Sequence, residues 1–257
     1  MKRGLGHVAD LDQHVEDDLR NRHIGHLVGA ALVGAPTSLD YSGLLRQIPD
    51  QGGSSSCVGQ AFATSIYLHA QITAQPIPRP SPKAIYDGAR LLDAPHEAMV
   101  DFGSRPRSAI IGMQDFGLVA EDRWPLNESN VNVPPPLDVW QAGLGQMLSG
   151  WYRIASGQGA ATLVRSALTR GFCPTFAMPV DVDYQNIADG TIYDGLYHAS
   201  IGSHMQCVDG FGTGWLLVAN SWGSSWGVRG HARISDAAFE RLAGDILVPT
   251  VVPVSLA

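Results

Sequence analysis

The chain has 257 residues, 45% apolar and 16% charged, which suffices for a packed core without disulfide staples and excludes both a small disulfide scaffold and a largely disordered chain. A formal charge of −7, with 17 scattered Lys and Arg, argues against nucleic acid as a partner, because a phosphate groove needs clustered cations. The apolar stretch Leu27 to Val33 is too short to cross a bilayer and lies too far along the chain for a signal peptide, so no membrane association is expected.

The first 34 residues read as an extension, with a weak helical period around Val15 to Ile24. Four basic and five acidic side chains give it a charge of −1, and its histidines His7, His14, His23 and His26 would bring that to +3 if all were protonated. His23 and His26 lack further ligands at metal-binding spacing, so no metal is expected there. The cluster Gly52-Gly53-Ser54-Ser55-Ser56 then feeds a buried helix from Cys57 to about Gln71. Ser81-Pro82 caps and opens a helix to about Leu92, and another spans about Pro106 to Phe116, stopped by Gly117. Beyond the Pro-rich loop Val131 to Pro136, helices are expected near Asp138 to Leu148 and Ala160 to Thr169. Four β-rich runs, Thr175 to Val180, His204 to Phe211, Trp215 to Ala219 and His231 to Ile234, are separated by Gly or Asp turns as antiparallel strands would be. The expected class is α+β, with a helical lobe over about 35–130, a mainly β lobe over about 131–257 and a cleft between them.

Cys57, Cys173 and Cys207 form no metal-type pair, and their odd number leaves at least one thiol free. With no export signal this predicts a cytoplasmic or other reducing compartment. Cys173 and Cys207 fall in or beside apolar strands and read as core, and His69 and His231 are expected at the core edge or in solvent. Cys57 differs, because a thiol at the first turn of a helix meets backbone N–H groups and a dipole that favour the thiolate. Gln51, on the feeding loop, is an uncharged donor within reach of an oxygen near that sulfur. A nucleophile needs a base and the base an orienting partner. His204 begins one expected strand and Asn220 ends the next, so a hairpin would bring both side chains to the same end of the sheet.

The segment Gln51-Gly52-Gly53-Ser54-Ser55-Ser56-Cys57, followed by Ala61-Phe62-Ala63, resembles the nucleophile segment of papain-like cysteine peptidases. Asn220-Ser221-Trp222-Gly223-Ser224-Ser225-Trp226-Gly227 is similar to that family's asparagine segment, and the spacing from His204 to Gly210 fits its histidine motif. Gly103-Ser104-Arg105-Pro106 resembles its substrate-binding segment. Ser54 stands where the family commonly has a cysteine, so the pattern is closest to bacterial or viral members without the usual disulfides, and a bacterial or phage-encoded source is expected.

The resemblance implies a two-lobed papain-like fold over residues 35–257, with residues 1–34 a candidate pro-segment docked in or near its own cleft. It implies that Cys57 attacks a peptide carbonyl, His204 moves the proton, Asn220 orients the imidazole under Trp222, and Gln51 holds the oxyanion. Gly103, Ser104, Arg105, Pro106, Met178, Ser203, Met205 and Trp222 are the expected substrate-binding residues, and the pocket beside Arg105 is expected to be apolar with a cation at its rim. The leading expectation is a cysteine peptidase acting through a thioester on Cys57, without metal or cofactor. The alternatives are an acyl transferase or amidase with the same groups, and a catalytically idle peptide-binding or scaffold protein.

Overall fold

The computed structural model describes residues 3–8, 21–23, 36–75, 77–94, 99–188, 190–195 and 198–251. Two short strands come first, β1 (Asn21–His23) and β2 (Leu39–Asp40). The helical lobe follows with α1 (Cys57–Ile72), α2 (Pro82–Asp93), α3 (Pro106–Asp115) and α4 (Leu137–Gly143). Helix α1 is buried nearly all round, as its small and apolar residues Val58, Gly59, Ala61, Phe62, Ala63 and Ile66 allow, and it carries Cys57 at its first residue. In α2 the Ser81 side chain accepts a hydrogen bond from the Ala84 N–H, an N-cap worth about 1 kcal/mol, and Pro82 occupies the first helical position. Helices α2 and α3 meet backbone to backbone, since a Cβ on Gly112 would lie 3.2 Å from the Gly88 carbonyl carbon. Asp87 of α2 is wholly buried and accepts from Lys83 (2.5 Å), Arg90 (2.6 Å) and the Trp124 indole (2.9 Å), fastening the loop after α3 to the lobe.

The β lobe contains β3 (Leu148–Ile154), α5 (Ala160–Thr169), β4 (Thr175–Val180), α6 (Val182–Gln185) and β5 (Ile192–Tyr193). It continues through β6 (Gly202–Gly212), β7 (Trp215–Ala219), β8 (His231–Ser235), α7 (Asp236–Leu242) and β9 (Gly244–Val251). The strands form one sheet in the order β1-β3-β9-β4-β6-β7-β8-β5, with β2 also on β6. Pairing is antiparallel except for β1 with β3 and β5 with β8. One apolar cluster lies between the sheet, α5 and α7; a second joins α1, α2 and α3 to β3, β9, Ala177 and Met205.

Two expectations need correction. The helix expected over Asp138 to Leu148 ends at Gly143, and Leu148 opens a strand. A register shift between Leu148 and Gly150 puts Leu148 and Trp151 into one apolar cluster, and Ile154, on the opposite face, is buried in the other, so the three recur at a spacing of three that in sequence imitates a helix. Residues 21–23, at the end of the weak helical period around Val15 to Ile24, form β1 through parallel pairing with β3; the rest of that period lies outside the described residues. Of the two places expected for His231, the structure gives the core edge, where the Asp209 carboxylate receives it in β8.

Candidate active site

The nucleophile segment is a knot of local hydrogen bonds. Ser54 N–H and Oγ both donate to the Gln51 carbonyl (3.1 and 2.8 Å), and Ser54 Oγ meets Ser56 Oγ at 2.8 Å. Ser55 N–H donates to Asp101 Oδ1 (2.9 Å), to which the Tyr86 hydroxyl also donates (2.8 Å), while Gly103 N–H donates to that hydroxyl (3.0 Å). These bonds fix the Gly103-Ser104 edge relative to Cys57. Ser56, the N-cap of α1, makes no side-chain cap, and the N–H groups of Cys57 and Val58 face the Cys57 thiol.

On the β lobe, the β6–β7 hairpin carries His204 and Asn220 as its spacing requires. His204 Nε2 donates to Asn220 Oδ1 at 2.7 Å, and that oxygen also accepts from Ser221 N–H at 2.7 Å. Trp222 stacks on the imidazole, ring centroids 4.4 Å apart and 22° from parallel. The other ring nitrogen, Nδ1, is buried with no hydrogen-bond partner among the described residues. Gln51 joins this group from the other lobe, its N–H donating to the Ser221 carbonyl (2.9 Å) and its Oε1 accepting from Ser221 Oγ (2.5 Å). Cys57 meets the β lobe through Met205, the residue after His204, whose N–H faces the thiol. The four expected catalytic residues are thereby brought to one place.

Residues 3–8 lie across this place. Gln51 Nε2 and Trp222 Nε1 both donate to the Gly4 carbonyl (3.1 and 3.4 Å), and Gly4 N–H donates to the Gly52 carbonyl (3.2 Å). The Gly6 N–H faces the Cys57 thiol. Ser104 N–H donates to the Gly6 carbonyl (2.9 Å) and Val8 N–H donates to the Ser104 carbonyl (3.1 Å), a parallel bridge centred on His7. Arg3 lies over the Trp222 ring at 5.5 Å, and Leu5 packs over Gly202, where a Cβ would come within 2.8 Å of it. The approach is close enough to need glycine: a Cβ on Gly4 would lie 1.7 Å from the Ser54 oxygen, and one on Gly6 1.8 Å from the Ser55 oxygen. A cavity of 760 Å³ bordered by Asp40, Trp215, Arg229, His231 and Arg233 shares no residue with the site; the cleft itself is filled by the chain's own residues.

Covering sets the charges. Burial pushes the Cys57 thiol up to about 11 against the pull of the surrounding N–H groups, and burial lowers His204 to about 4 despite the bond to Asn220. Thiol and imidazole are both neutral at pH 7 in this arrangement.

Not every expected lining residue stands in the cleft. Met205 shares the apolar cluster of Cys57, and Ser203 Oγ meets the His7 ring (2.7 Å), so both adjoin the docked segment. Met178 points into the β-lobe core instead, because strand alternation sends it to the face opposite Ala177. The Arg105 guanidinium turns to Asp93 (3.2 Å), which also accepts from Arg105 N–H (3.0 Å) and Ser108 Oγ (2.6 Å), and Pro106 opens α3 as a buried residue. The sequence reading had not singled out Ser221, Gly4, Gly6 or Asp245. The pair Gly4-x-Gly6 was a visible signal of close backbone approach, whereas Asp245 becomes conspicuous only once β9 is placed.

No family model matches the chain. An uncharacterized peptidase C1-like protein of Acanthamoeba polyphaga mimivirus is 27% identical over 214 residues, which cover 77% of this chain and 68% of that protein. Among solved structures, xylellain, a cysteine protease from Xylella fastidiosa, superposes with a TM-score of 0.80 at 19% identity, over 98% of this chain and 97% of that one. Procathepsin B S9 from Trypanosoma congolense gives 0.71 at 16% identity, over 97% of this chain and 86% of that one.

Proposed function

We propose, from the papain-like fold that this chain shares with those proteins, that it is a cysteine peptidase whose cleft is covered by its own residues 3–8. The observation that carries this reading is the convergence of Cys57 at the head of α1, His204 bound to Asn220 under Trp222, and Gln51 beside them. With the cover gone, water and a polar substrate replace the burial that keeps thiol and imidazole neutral, and the N–H groups at the start of α1 favour the thiolate. His204 takes the Cys57 proton at Nδ1, the nitrogen left without a partner, while Asn220 holds the ring through Nε2. The thiolate attacks the peptide carbonyl, and the oxyanion is received by Gln51 Nε2 and the Cys57 N–H. The imidazolium then gives its proton to the departing amine, leaving a thioester that water hydrolyses with His204 as base.

Residues 3–8 oppose each of these steps. The Gly4 carbonyl takes the Gln51 donor, and Gly6 lies on the sulfur. The segment is thus read as an inhibitory pro-segment, and the fit of Gly4 and Gly6 supplies the test. Gly6→Val in the full chain cannot dock without moving the Ser55 backbone, and it should hydrolyse peptides about tenfold faster than the parent chain near pH 7. Adding Cys57→Ala should abolish that turnover while leaving the melting temperature in place. Equal turnover with and without Gly6→Val would remove the cover, and turnover surviving Cys57→Ala would remove the peptidase mechanism.

A further inference from the structure

The 760 Å³ cavity that shares no residue with the catalytic site is of a size that takes a small organic molecule, for which about 300–1,000 Å³ is usual. Its floor is the outer face of the β7–β8 pair, where Trp215 and Leu217 alternate with the buried Leu216 and Val218, and Arg233 stands opposite Leu217 in register. Its walls are the loop carrying Leu45 and Ile48 and the turn carrying Val228 and Arg229. That turn is tightly held: Val228 N–H donates to the His231 carbonyl (2.8 Å) and His231 N–H to the Val228 carbonyl (3.1 Å), while the Arg229 carbonyl accepts from His231 Nδ1 (3.0 Å). Arg229 adopts a left-handed backbone there, φ +51°, a conformation unfavourable for a residue other than glycine and one that gathers at ligand sites.

The charges at the rim name the ligand. Arg233 lies over the Trp215 ring, 4.7 Å from its centroid, which positions the guanidinium without neutralising it. Neither Arg229 nor Arg233 has a hydrogen-bond or ion-pair partner among the described residues, although acidic side chains outnumber basic ones in this chain by 24 to 17. The other charged groups on the cavity are committed elsewhere: Asp40 accepts from the Ser42 N–H (2.8 Å), and His231 is bound through both ring nitrogens, to Asp209 and to the Arg229 carbonyl. Two guanidinium groups against the one carboxylate of Asp40 leave a single positive charge, which suits a monoanion better than a phosphate monoester of charge about −2. We propose that this cavity binds a carboxylate carried on an apolar body, with the head on Arg229 and Arg233 and the body against Leu45, Ile48, Leu217 and Val228. The C-terminal end of a peptide and a fatty acid share that chemistry. The proposal stands apart from the peptidase reading, since it uses no catalytic residue.

The test is calorimetric titration of the full chain carrying Cys57→Ala, which removes turnover from the experiment. Two acids, octanoate and N-acetyl-Leu-Leu, are each compared with the corresponding amide, and the Trp215 indole N–H signal in NMR, assigned with Trp215→Phe, places the ligand. At least one acid should bind with a Kd below about 1 mM, about tenfold tighter than its amide, and should move the Trp215 signal. Arg233→Gln and Arg229→Asn, the latter compatible with the left-handed backbone, should each weaken that acid about tenfold. Both guanidinium groups are exposed, so these variants leave the core intact. Tighter binding of N-acetyl-Leu-Leu assigns the cavity to a peptide end, and tighter binding of octanoate assigns it to a fatty acid. Absence of binding by both acids, equal affinity of acid and amide, a Trp215 signal that stays in place, or an affinity that neither arginine variant changes overturns the proposal.

Discussion

Two buried histidines on one sheet are held in opposite states. His204, on β6, bonds through Nε2 to an amide oxygen, has no partner for Nδ1 among the described residues, and is lowered to about 4 by burial. His231, on β8, is pulled down by burial too, but its Nε2 meets Asp209 Oδ2 (2.8 Å) and its Nδ1 meets the Arg229 carbonyl (3.0 Å), and these acceptors raise it above its ordinary value. Burial also holds the Asp209 carboxyl above its ordinary range, against the pull of the hydrogen bond from His231. The lesson is that a partner, rather than depth, makes a buried imidazole reactive. Asn220 orients its ring and leaves it able to take a proton, whereas Asp209 and the Arg229 carbonyl occupy both nitrogens of the other ring.

The largest expected effect separates the two rings directly. His204→Ala should lower turnover by about 10⁴-fold with a folded chain, while His231→Gln should leave turnover per folded molecule within about twofold and lower the melting temperature. Asp209→Asn should cost on the order of 3 kcal/mol in urea unfolding, because it removes one partner of a buried hydrogen-bonded pair. Asn220→Ala should reduce kcat by 10 to 10³-fold, order of magnitude, with KM little changed, since the ring is then free to turn.

The smallest effects are in pH. A raised His231 stabilises the fold fully below the ordinary histidine value of about 6.5, and the contribution is lost as pH rises through its folded value. Asp209→Asn should erase that alkaline limb from a stability-versus-pH curve. A lowered His204 works the other way: the covered form keeps its full stability above about 6.5 and loses it as pH falls toward about 4. Limited proteolysis of residues 3–8 at pH 7 and pH 4.5 measures that loss, and faster trimming at the lower pH is expected.

The fold was most legible where local chemistry is unambiguous. Ser81-Pro82, Pro106 with Gly117, and the alternating runs at 175–180 and 215–219 put their elements within a residue or two of where they lie. Strand β9 was not legible, because it lies between β3 and β4 with both faces covered, and a continuous apolar run carries no period. Cys57 could be singled out at the head of a helix, and His204 and Asn220 at the ends of adjacent strands, while Gln51, on the feeding loop, gained its role from the resemblance of the segments around it. Asp245 could not be singled out, since its meaning depends on its bond to His7, more than 200 residues away in sequence. The apparent surplus of histidine in the extension had a use that net charge did not suggest, one ring seated in a pocket.

Whether residues 3–8 cover a neutral His204 is read from a ring-proton NMR titration of the full chain carrying Cys57→Ala, which cannot process itself. His204 should titrate near 4 while His231 titrates above about 6.5, and adding Gly6→Val should move His204 upward and leave His231 where it was. A His204 that titrates at or above the ordinary value while Leu5 still contacts Gly202, or that does not respond to Gly6→Val, would contradict the covered, neutral state.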